Sequence, residues 1–273
     1  MGRPFTLIRL QIATLDRQTF FLVVLIPFLT FGFFRMFDSG IRNLSVMDLV
    51  IGSYEPSYNF SLLWMLCPII SIICLIRVWG IKDGYNVITR QNTYTRIWIS
   101  HLTDIFFFSC VIALILQISL IVIGVISIGT LANFSDTTSL FFSATGQQTI
   151  DNFSFSAAMP ITFVYALLSL LFSNTLFYAL QCLLNGTRIA FALVVLMGLA
   201  TIHSTYSIIY DLTHSLPNFS FLVKNPLSFL YETASVSYTS WLPDQSHQLE
   251  ILALSVIAFA VLALLASRKR EYA

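Results

Sequence analysis

Six apolar runs separated by polar stretches set the architecture of this chain. They cover about Thr19 to Phe34, Phe60 to Ile76, Ile105 to Ile128, Ala157 to Leu180, Ile189 to Tyr210 and Leu249 to Ala266. A helix needs ~20 apolar residues to cross the hydrocarbon core of a bilayer. The first run is the shortest, and Met36 and Phe37 extend it. None of the runs alternates apolar and polar residues as a barrel strand does. Backbone amides in lipid must bond within their own segment, which selects helices. The pattern therefore predicts an all-α polytopic membrane protein, a single domain over residues 1–273 with six transmembrane helices.

The polar intervals refine this layout. Residues 3–18 gather Phe5, Ile8, Ile12 and Leu15 on one helical face, and Arg3, Arg9 and Arg17 supply positive charge. This predicts an N-terminal interfacial helix lying on the membrane. A cleaved signal peptide does not fit, because no small-x-small site follows the first run. Residues 35–60 form a mixed loop, and Gln181 to Arg188 is a short turn. Residues 211–248 are too long for a turn yet hold Phe219, Phe221, Leu222, Phe229, Leu230 and Tyr231. Such an outer apolar loop is expected to dip into the membrane as short re-entrant helices before the last span.

Charge then orients the chain. Of its 14 Lys and Arg, only Arg35, Arg42 and Lys224 fall on the outside when the N-terminus is placed inside. That is a strong positive-inside bias, and it requires an even number of spans. Both termini are expected in the cytoplasm, and the chain in the cell (plasma) membrane. The interval 129–156 has no Lys or Arg and is read as external.

Composition excludes several classes. The 273 residues are 57% apolar and 10% charged, with mean hydropathy +0.82, well outside the range of soluble domains. A net charge of +1 leaves no basic stripe for nucleic acid. Cys67, Cys74, Cys110 and Cys182 lie in or beside apolar runs at spacings that fit neither a disulfide framework nor zinc. They read as small core residues. No phosphate loop, H-E-x-x-H or G-x-S-x-G is present, and the four histidines are scattered along the chain. Neither a metal site nor a catalytic residue is expected. Asn-x-Ser/Thr occurs at Asn43, Asn59, Asn133, Asn152, Asn185 and Asn218, a tripeptide too common to establish glycosylation.

Two sets of residues stand out as functional candidates. Polar residues inside spans are costly in lipid. Gln117, Asn174, Thr201, His203, Ser204 and Thr205 are therefore read either as interhelical bonds or as the lining of a substrate path. The second set is the long polar stretch between the second and third runs, with Arg77, Trp79, Gly80, Lys82, Asp83-Gly84, Thr89-Arg90, Thr95-Arg96, Trp98 and His101. It is the only long polar segment expected on the cytoplasmic side. It reads as a docking surface or as a solvated loop, and we take the first.

This layout resembles the ABC type-2 export permease family, the membrane subunits of bacterial ATP-binding cassette exporters. The likeness covers essentially the whole chain. Within the 77–104 loop it rests on Asp83-Gly84, Thr95-Arg96, Trp98 and His101, with Asp83 where glutamate and His101 where lysine is usual in that family. The resemblance implies a permease whose loop docks on a separate ABC ATPase subunit, with ATP and Mg bound there and no cofactor in this chain. It also implies a second permease chain, identical or different. Ile81, Tyr85 and Ile88 would supply an apolar docking face beside Gly84, and Lys82, Asp83, Arg90 and Arg96 would set its charge register. The expected cargo is amphiphilic: a peptide, an antibiotic or a lipid-like molecule, with antimicrobial peptide export or immunity as one use. The competing readings are an intramembrane enzyme and a passive channel or scaffold. The enzyme would require clustered ionisable residues at one depth, whereas Asp16, Asp104 and Glu250 all fall at span ends.

Overall fold

A computed structural model describes residues 17–38, 46, 61–84, 94–128, 155–210 and 245–269. Among them are six helices and no strand: α1 (Arg17–Asp38), α2 (Ser61–Gly84), α3 (Tyr94–Ile128), α4 (Phe155–Leu184), α5 (Thr187–Tyr210) and α6 (Gln245–Lys269). Apart from Phe60, which lies outside the described residues, each apolar run lies within one helix. Three helical stretches, Thr95–Ile126, Thr162–Leu184 and Leu249–Ser267, are long and apolar enough to cross a membrane, and three shorter apolar ones are Arg17–Gly32, Leu66–Ile81 and Thr187–Leu199. The expected interfacial helix before Arg17 and the apolar outer loop before Gln245 lie outside the described residues.

The helices outrun the apolar runs where the chain turns polar. α3 has 35 residues, about 50 Å of helix at ~1.5 Å per residue, against a hydrocarbon core of ~30 Å. Its first turns, from Tyr94, lie within the polar stretch between the second and third runs. α2 likewise continues through Arg77 and Trp79 to Gly84. The polar connection between α2 and α3 therefore shrinks to residues 85–93, which lie outside the described residues. Pro27, Pro68 and Pro160 sit inside helices, which membrane helices tolerate when neighbours take up the freed carbonyls.

α4 is the central pole, packed against α2, α3, α5 and α6. From Phe172 to Ala179 every residue is buried. Ala166, Ser169 and Ser173 present a small-residue face that lets neighbouring backbones approach, as membrane helix packing requires. The Ser169 and Ser173 hydroxyls donate back to the carbonyls of Tyr165 and Ser169. Outward-facing residues are apolar: Phe106, Leu114, Ile118 and Ile126 on α3, and Leu254, Ile257 and Leu265 on α6. An exposed apolar surface around a partly polar interior suits a lipid-surrounded bundle.

α4 and α5 form a tight hairpin. Asn185 takes φ 57°, the left-handed cap that asparagine tolerates better than most residues. Helix α5 then starts with the Ala190 amide donating to the Gly186 carbonyl at 3.0 Å. Gln181 straps the two helices by donating to the Thr187 hydroxyl at 3.0 Å.

Candidate functional site

Three polar clusters run through the interior between α2, α3 and α4. The middle one is built on Asn174, which is fully buried. Its Nδ2 donates to the Ser71 hydroxyl of α2 at 2.7 Å and to the Ser109 hydroxyl of α3 at 2.9 Å. One amide thus ties three helices together. Its carbonyl oxygen Oδ1 is buried without a hydrogen-bond partner, an arrangement that costs about 1–3 kcal/mol.

Eight residues farther along α3, about 12 Å of helix, Gln117 makes a second cluster. Its Nε2 donates to Thr162 Oγ1 of α4 at 2.9 Å and lies 3.1 Å from Met159 Sδ. The Thr162 hydroxyl in turn donates to the Met159 carbonyl at 3.0 Å. Gln117 and Asn174, both read from the sequence as intramembrane polar candidates, therefore act as bonds between helices.

The third cluster lies toward the α2–α3 connection, and sequence reasoning did not assemble it. The Trp79 indole N–H donates to the Asp104 carboxylate at 3.1 Å, with both residues buried. His101 stacks on Trp79 with ring centroids 4.4 Å apart, and Tyr178 of α4 closes the group at 5.1 Å from His101 and 5.5 Å from Trp79. Phe177 lies parallel to Trp79 at 6.1 Å. An acidic side chain is thereby held beside an aromatic cluster at the meeting of three helices. The signal that could have found it is the i, i+3 spacing of His101 and Asp104, which puts both on one face of α3. Asp104 falls at a run boundary, where a solvated carboxylate is the ordinary expectation.

A separate bond reaches the last helix: the Trp98 indole N–H donates to the Ala260 carbonyl at 2.9 Å. Trp98 and His101, which carry part of the family resemblance, therefore both face protein.

The other candidates are less well placed. Arg96 is exposed on the first turn of α3 and Ile81 is half-buried near the end of α2. Lys82, Asp83 and Gly84 end α2, with side chains outside the described residues. Tyr85, Ile88 and Arg90 lie wholly outside them. Thr201, His203 and Thr205 lie in the second half of α5, and their side chains too are outside the description. Among the described residues no three His, Cys, Asp or Glu converge as a metal site would, and none of the four cysteines is in a disulfide. The family-model, curated-protein and solved-structure comparisons return no match to the chain.

Proposed function

We propose that the chain is the membrane permease subunit of an ATP-driven exporter for an amphiphilic cargo, working with a separate ABC ATPase and a second permease chain. On this reading six helices cross the plasma membrane, both termini are cytoplasmic, and residues 85–93 with the adjoining helix ends dock on the ATPase. Antimicrobial peptide export or immunity is one use within this class.

The observation that supports the reading most is the Trp79–Asp104 bond. It fastens α2 to α3 just inside their polar connection, and the aromatic cluster fastens both to the central α4. A short segment held at both ends by clamped helices transmits a push to the bundle, whereas one hung on loose ends would absorb it. The test is co-purification. An ATP-hydrolysing subunit is expected to stay with the full chain and to be lost when Asp83, Tyr85 and Ile88 are changed to alanine. Retention by that variant would remove the docking assignment.

One observation favours the runner-up, an intramembrane enzyme: His101 and Asp104 stand about one turn apart on α3 and both contact Trp79. The two readings separate on Asp104→Asn. A transport subunit keeps cargo export in that variant, while an enzyme using the carboxylate for proton transfer loses turnover by ~10²-fold or more.

A further inference from the structure

α1 and α2 bound an open cleft of about 660 Å³ whose lining is mostly apolar, with Arg17, Gln18 and Arg77 as its polar members and Leu22 among its apolar ones. α1 lines it with Arg17, Phe20, Phe21 and Val24, the i, i+3, i+4 and i+7 positions of one helical face. α2 contributes Ile73 and Arg77, one turn apart. Phe20 and Phe21 are 65% and 67% exposed, so this wall faces the surroundings of the bundle. Arg17 also opens α1, where the helix dipole adds partial positive charge.

Two cations beside an open apolar wall match one kind of occupant. A small free anion would engage the guanidinium groups and leave the phenyl rings uncovered. An apolar helix would cover the rings and leave the Arg17 charge facing hydrocarbon. We propose that the cleft binds an anionic phospholipid, its phosphate on Arg17 and Arg77 and an acyl chain along Phe20, Phe21, Val24 and Ile73. Arginine suits phosphate because its planar fork makes paired hydrogen bonds, and basic pockets between membrane helices hold acidic headgroups. The site depends on α1 and α2 lying in a bilayer, and it stands whether or not an ATPase binds the chain.

The experiment places a photo-reactive benzoylphenylalanine at Val24 of the full chain, in nanodiscs of equal phosphatidylglycerol and phosphatidylcholine, and identifies the captured species by mass spectrometry. Capture of phosphatidylglycerol is expected to exceed that of phosphatidylcholine by on the order of tenfold. The preference is expected to vanish in R17Q/R77Q, to persist largely in R17K/R77K and to fall in the unsubstituted arginine background as salt is added. Millimolar inorganic phosphate should not compete. Equal capture of the two lipids, a preference that survives R17Q/R77Q or is indifferent to salt, or displacement by phosphate would overturn the proposal. So would capture of a peptide from residues 3–16 or of a second copy of the chain.

Discussion

Trp79 of α2 and Asp104 of α3 are joined at 3.1 Å, indole nitrogen to carboxylate oxygen, where Asp104 has no solvent exposure. A carboxylate so placed depends on its donors, since an ionised group in a dry interior is costly unless it is hydrogen-bonded. Trp79→Phe should therefore lower stability by about 1.5–3 kcal/mol. Trp79→Phe with Asp104→Asn should lose less than Trp79→Phe alone, because the second change replaces the acid that needed the donor by a neutral amide. Thermal unfolding of the three variants in one lipid composition checks the order.

Asn174 bonds Ser71 and Ser109 but leaves its own carbonyl oxygen unpartnered. Interhelical bonds in membranes average ~0.6 kcal/mol, and relief of one orphaned acceptor is worth about 1–3 kcal/mol, so Asn174→Ala should leave stability nearly unchanged or raise it slightly. A double-mutant cycle of Asn174→Ala with Ser71→Ala should return a coupling near ~0.6 kcal/mol. If export changes while stability holds, the amide belongs to a substrate path.

Helix α6 packs chiefly along α4 and also touches α3, with Ala263 fully buried and Leu254, Ile257 and Leu265 outward. Ala263→Leu should overpack that seam and lose about 1–3 kcal/mol. Ala258→Leu, at an exposed position on the same helix, should leave unfolding unchanged within ~0.5 kcal/mol.

The α4–α5 turn hangs on the left-handed backbone of Asn185. Asn185→Gly should be neutral or slightly stabilising, because glycine takes φ > 0 without a Cβ penalty. Asn185→Ala should lose about 1 kcal/mol. Denaturant midpoints of the two variants give the sign.

Helix positions were legible because burial in lipid imposes one strong rule on long runs: α4 and α5 end within a few residues of where their apolar runs end. The extents of α2 and α3 were not, since Arg77–Gly84 and Tyr94–Asp104 are polar enough to read as loop. Continuing an existing helix nevertheless adds one hydrogen bond for each residue fixed. Gln117 and Asn174 were found by their cost in hydrocarbon. Their partners Thr162, Ser71 and Ser109 were hidden, because a serine or threonine hydroxyl commonly bonds its own helix and betrays no neighbour. The Trp79–His101–Asp104 box needed the crossing of α2 over α3, which no spacing along one helix encodes.

The central claim is that the α2–α3 connection receives an ATPase in the cytoplasm. Its most direct measurement is photo-crosslinking from Tyr85 of the full chain in cells that are actively exporting, with the captured protein identified by mass. Capture of an ATP-binding subunit, with a yield that changes between nucleotide-loaded and nucleotide-free states, is the expected result. A connection that captures nothing in an exporting complex, or a Tyr85→Cys variant labelled by a membrane-impermeant reagent from outside intact cells, would contradict it.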